Sequence, residues 1–141
     1  MERKLFLEIA ITFEPGTVSR LAGPGGEVVC IPFGGHARGE LFNGEVCPGA
    51  CDVQTVNLSG VRHMCARYML AGKDAEGQDC HVFVENNGWF TDPMTPGAPF
   101  KTVPTLWTDS AALAPILHRR AFTGEGVPGP EGLVIKLYEI L

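Results

Sequence analysis

Glycine and proline punctuate this chain from end to end, and the segments they leave between them are short and β-like. Eighteen glycines and eleven prolines are spread along 141 residues and are not pooled in a linker. The first segment, "KLFLEIAITF", alternates and puts Leu5, Leu7, Ile9, Ile11 and Phe13 on one strand face. "GPGG" at 23–26 then turns the chain into "EVVCIPF". Gly34-Gly35 introduces "HARGELF", and Asn43-Gly44, a hairpin dipeptide, leads into "EVC". "CDVQTVNL", "VRHMCARYML", "DCHVFVENN" and the closing "GLVIKLYEIL" follow. Only "DSAALAPILHRR", 109–120, reads as helix, with Asp109 or Ser110 as its cap and Pro115 keeping it short or kinked.

About eight strands, short turns and one short helix predict an all-β fold, an antiparallel barrel or sandwich, with 1–141 as a single domain. An eight-stranded barrel has room for packed side chains or for one small ligand. The functional alternatives are therefore a filled core and a pocket.

The net charge of −5 argues against a nucleic-acid or anionic-membrane partner, since both require a basic face. "MERKLFLEIAITF" is interrupted by Glu8 and followed by no small-residue cleavage site, so it reads as a first strand, not a leader. Five cysteines, an odd number, suggest reduced thiols in a cytoplasm. No glycine fingerprint sits between a strand and a helix, and "GPGGE" lacks a Walker lysine, so no nicotinamide, flavin or nucleotide cofactor is expected.

Cys47 and Cys51 form a CxxxC pair, but the other cysteines stand alone, and Pro48-Gly49 between the two explains the spacing as a turn. No metal is expected there. Asp52 follows the turn and shares a strand face with Gln54 and Val56. Inside a barrel it is a general acid or base with a raised pKa; at the turn it is a cap bonded to backbone amides. "VRHMCARYML" is polar on both faces, so either His63 with Arg67 or Arg62 with Tyr68 looks inward. His36, among glycines, is a pocket candidate, and "VENNGWF" offers Glu85, Asn87 and an aromatic rim of Trp89 and Phe90.

The ordered blocks "IPFGGHARGELFNGEVCPGACD", "ARYML", "VENNG", "FKTVPT", "ILHRRAFTGEG" and "VIKLYEIL" resemble the bacterial and fungal domain-of-unknown-function family 3237, from Leu5 to Leu141. The resemblance implies a small lipocalin-like barrel with an internal pocket. It implies no settled activity, although some relatives have a ring-closing role in fungal aromatic natural products. The family pattern falls on Gly49 and Asp52, on Arg67 and Tyr68, and on Asn87 and Gly88. The chain departs from it in Val53, in a short link from Gly88 to Phe100, and in His118, where the family commonly has asparagine.

Together these readings predict a cofactor-independent lyase, isomerase or cyclase for an apolar aromatic or polycyclic molecule. Asp52 moves a proton, Arg67 and Tyr68 polarise an oxygen, and His36, Gln54, Asn87, Trp89 and His118 contact the ligand. The alternatives are a non-catalytic carrier or sensor of a small hydrophobic molecule, and an accessory subunit whose barrel closes through a homo-oligomeric or partner interface.

Overall fold

The computed structural model describes residues 2–91, 98–119 and 121–141. Its elements are β1 (Arg3–Phe13), β2 (Ser19–Gly23), β3 (Gly26–Arg38), β4 (Phe42–Val46), β5 (Cys51–Val56), β6 (Val61–Asp74), β7 (Asp79–Thr91), β8 (Phe100–Thr108), α1 (Ala114–Leu117), β9 (Phe122–Gly129) and β10 (Gly132–Ile140). β1 pairs with β10 on one side and β3 on the other, which closes the antiparallel sheet into a ring. Two places in the ring hold broken strands. β4 and β5 lie one after the other between β3 and β6, and β1 and β2 do the same along β3. The ten strands therefore fill eight places, and the expected closed antiparallel barrel results.

The break between β4 and β5 is the "CPGA" segment. Glu45 pairs with His36 and Cys51 with Pro32, so six steps on this strand face four on β3. The surplus bulges out at Gly49, whose φ of 99° suits glycine. The segment bends without reversing the chain. It also spaces Cys47 and Cys51, whose thiols are free.

Several local expectations are corrected. Asn43-Gly44 is not a hairpin turn but lies within β4, where the Phe42 ring occupies the space a side chain on Gly44 would need. Gly34-Gly35 does not start a new strand. β3 runs through it, and Gly35 lets the backbone of Ala10 approach too closely for any Cβ. In β1 the register slips between Leu5 and Leu7, so Phe6 turns inward and Leu5 is left 42% exposed. The helix shrinks to the single turn of α1, with Pro115 in its first turn. Arg120, at the end of the expected helix, and residues 92–97 of the short link before Phe100 lie outside the described residues. Among the described residues, no helix is long and apolar enough to cross a membrane.

One half of the barrel is packed solid. Leu7, Phe42, Leu70, Val82, Leu106 and Leu137 are at most 1% exposed, and Leu113 and Leu117 at the two ends of α1 complete the same cluster. Asp74 secures that end. Its carboxylate accepts hydrogen bonds from the backbone of Glu76 and Gln78 and from Ser110 Oγ at 2.9 Å, while Ser110 Oγ accepts the Leu113 N–H. Burial opposes the Asp74 charge, but the bonds from Gln78, Ser110 and Glu76 together hold the carboxyl below its usual value. A lowered native pKa gives stability that is present above the unfolded pKa and lost as pH falls through the native one. Asp74→Ala is therefore expected to lower Tm at neutral pH, with the gap to wild type narrowing below about pH 4. A gap that stays constant from pH 7 to pH 3 in thermal melts would contradict this.

Candidate functional site

Toward the other end, the inward side chains stop filling the ring. Ile11, Phe33, Leu133 and Ile135 form one wall of a gap, and Asp52, Tyr68, Asn86 and Thr102 stand in the other. Met64, Ala66, Phe13 and Phe100 complete its lining. The free volume of this gap is about 40 Å³, room for about three waters. The question of filled core or pocket has a split answer: packed toward α1, hollow toward Phe13 and Phe100.

Register puts the polar groups together. Asp52 lies opposite Ala66 and Ala66 opposite Asn86, so the two polar side chains share a rung on either side of a methyl group. Tyr68 is one inward step deeper along β6. Thr102 pairs with Gly124, whose missing side chain leaves space for the threonine hydroxyl. The Phe100 ring likewise lies over Gly126. Asp52 Oδ1, Tyr68 OH, Asn86 Oδ1 and Thr102 Oγ1 are all buried with no hydrogen-bond partner among the described residues. Buried polar groups are normally paired, so these four concentrate unmet hydrogen-bonding capacity in one cavity.

The other carboxylate oxygen of Asp52 is engaged. Gln54 Nε2 donates to Asp52 Oδ2 at 2.8 Å, Arg62 donates to Gln54 Oε1 at 2.9 Å, and Arg62 also meets Glu27 at 3.3 Å. Because Arg62 is only a donor, it settles the orientation of the Gln54 amide, which then must donate to Asp52. Oδ2 is thereby occupied and Oδ1 faces the cavity. Burial pushes the Asp52 carboxyl above the usual range, opposed by the Gln54 hydrogen bond, a backbone bond from Cys65 and the charges of His63 and Arg62. Burial also raises the Tyr68 hydroxyl pKa, with the Asp52 charge adding to it, so Tyr68 stays a neutral hydrogen-bond donor.

Of the residues singled out from sequence, Asp52 and Tyr68 line the cavity and Gln54 supports Asp52. Asp52 is not the turn cap. Between the two faces of β6, the Arg62–Tyr68 face looks inward. Arg67 is on the outside, 67% exposed and paired with Glu85 at 2.7 Å, so it cannot pair with Asp52. His36 faces out beside Glu8, Arg38 and Glu131. Asn87 bonds His63 Nε2 at 2.9 Å on the outer surface, and Trp89 stacks on the same imidazole. His118 Nε2 accepts the Thr108 N–H at 3.1 Å, also outside. Two polar cavity residues escape the sequence reading. Asn86 is readable, since it shares a face with Val82 and Val84; Thr102 is not, because "FKTVPTLWT" mixes polar and apolar residues on both faces.

The sequence matches the family model described as "Protein of unknown function (DUF3237)" over residues 2–140. No curated protein matches it. A protein of unknown function from Clostridium acetobutylicum ATCC 824 is similar in structure, with 27% identity, a TM-score of 0.79 and 100% of each chain covered. A conserved protein of unknown function from Rhodopseudomonas palustris shares 24% identity at a TM-score of 0.75, covering 99% of this chain and 97% of its own. An enzyme from Penicillium herquei has the same fold at 15% identity and a TM-score of 0.67, with 99% and 94% covered.

Proposed function

The chain belongs to the DUF3237 family, and from that premise we propose that it is a small-molecule-binding barrel that catalyses proton transfer on its ligand without a cofactor. The observation that carries this reading is the set of four unpartnered polar atoms around one cavity, with a carboxylate oxygen among them. Asp52 Oδ1 takes a proton from an acidic C–H or O–H of the substrate and returns it at a second position, so no net proton is gained or lost. Tyr68 OH donates to the oxygen that gains negative charge in between. A carboxyl raised by burial is a stronger base than an exposed one, and the Gln54 hydrogen bond and the Arg62 charge oppose that rise. That the barrel fold of the Penicillium herquei protein belongs to an enzyme supports catalysis within this architecture.

A generic substrate class is enough for the test. Enolisable cyclic ketones are incubated with the protein in D2O, and deuterium uptake is followed by NMR. Uptake that depends on Asp52, together with binding that survives Asp52→Asn, supports the enzyme. Binding without any uptake supports the carrier.

Arg62 acts through Gln54, so its role is one of positioning. Arg62→Met removes a charge that lowers the Asp52 pKa and frees the Gln54 amide to turn. The acid limb of the exchange-rate profile is expected to move to higher pH, with Arg62→Lys moving it less. An unshifted limb with a uniformly lower rate would reduce Arg62 to a structural role.

A further inference from the structure

The cavity is polar on one side only, and the strand order shows why. Going round the barrel, Asp52, Tyr68, Asn86 and Thr102 come from the neighbouring strands β5, β6, β7 and β8. Leu133 and Ile135 on β10, Ile11 on β1 and Phe33 on β3 close the circle opposite them. Between the two arcs, β9 turns Gly124 and Gly126 inward and so adds no bulk. Orphaned donors and acceptors thus face hydrocarbon across a narrow space.

Charge narrows the ligand further. Among the described residues lining the cavity there is a carboxyl and no Lys, Arg or His. An anion placed there would meet Asp52 with no counter-charge in contact, in surroundings that screen poorly. The polar wall instead offers acceptors at Asp52 Oδ1 and Asn86 Oδ1 and hydroxyls at Tyr68 and Thr102, the pattern that pairs with a hydroxyl and a carbonyl side by side. The free space of about 40 Å³ is well below the roughly 150 Å³ that holds a benzene ring, so it excludes fused rings and takes one ring only if the side chains lining it shift.

Resting on the proposed function, we infer that the ligand is an uncharged molecule of at most one ring, with hydroxyl and carbonyl oxygens along one edge and bare hydrocarbon along the other. Of the apolar aromatic or polycyclic molecule expected from sequence, it keeps the first alternative. An aromatic or cyclic enone ring would lay its polar edge over Ala66, between Asp52 and Asn86, and its hydrocarbon edge against Leu133 and Ile135.

Four probes test it in methyl-NMR titrations at pH 7. 3-Hydroxyacetophenone carries both oxygens toward one edge, 4-hydroxyacetophenone carries them at opposite ends, and 3-hydroxybenzoate is the near-isosteric anion. A hydroxynaphthyl methyl ketone tests size. The first is expected to shift the Ile135 and Leu133 methyls and to bind about ten-fold or more tightly than the second and third, since each of those leaves a buried group unpaired or a charge unmatched. Thr102→Val and Asn86→Leu are each expected to erase most of the preference between the two ketone isomers. Equal binding of the benzoate would overturn the uncharged class, and equal binding of the 4-isomer would overturn the polar edge. If only the naphthyl ketone binds, the size is wrong and the hollow-barrel reading stands. If no probe moves those methyls, the inference and the hollow barrel beneath it fall together.

Discussion

Asp52→Asn is expected to slow deuterium exchange into a bound ketone by about 10²–10⁴-fold, the usual contribution of a positioned acid or base, while leaving the protein folded. The substitution changes little in shape. The asparagine oxygen can still accept from Gln54 Nε2, and its amide group takes the place of Oδ1 at the cavity. What disappears is the basic oxygen. The same variant makes a second, independent prediction about stability. Burial holds the native carboxyl above its unfolded pKa, so the folded protein binds this proton more tightly than the unfolded chain. Wild type therefore loses stability as pH rises through the interval between the two values, and the penalty is complete above the native one. Asparagine does not titrate. Its Tm should exceed that of wild type at pH 8, and the advantage should shrink as pH falls toward the ordinary aspartate value of about 3.9. A variant destabilised equally at pH 4 and pH 8 would show that the carboxyl is not under this strain. A variant that exchanges deuterium at the wild-type rate would remove Asp52 from catalysis.

Phe42→Ala is expected to cost about 3–5 kcal/mol, the range for deleting a buried aromatic side chain, and so to lower Tm by about 10–15 °C in a domain of this size. Phe42 is 0% exposed, and its ring fills space that the missing side chain of Gly44 leaves open. The cavity it leaves lies in the packed half of the barrel. If the two halves are independent, the folded fraction at 15 °C binds the hydroxyacetophenone probe as wild type does. Calorimetry gives the first result and titration the second. A Tm loss of only a degree or two would mean that the α1 end collapses easily onto the gap, and lost binding in folded protein would couple the two halves. Opposite pH signatures separate the two ends as well: Asp74 at the packed end is held below its usual pKa by hydrogen bonds, whereas Asp52 is held above by burial.

Much of the barrel is legible in the chain, because glycine and proline mark turns and alternation marks strands. Where the chain misleads, one residue of bulge or one glycine pair is enough. The slip at Phe6 turns Leu5 outward, and Asn43-Gly44 proves to be room for a ring, not a turn. At the site, period two correctly groups Asp52 with Gln54 and Arg62 with Tyr68, because side chains alternate across any strand. It cannot say which group is inside. β6 carries polar residues on both faces, and only ring closure through the β1–β3 pairing turns Arg62 and Tyr68 inward and leaves Arg67 to Glu85 on the outer surface. His36, Asn87, Trp89 and His118 go outward for the same reason. The strands, the face-sharing sets and the acidic character follow from the chain alone, since these depend on local geometry and composition. That Asp52, Tyr68, Asn86 and Thr102 meet around one cavity follows only from the closed barrel, since it depends on the register of four strands and on two glycines of a fifth.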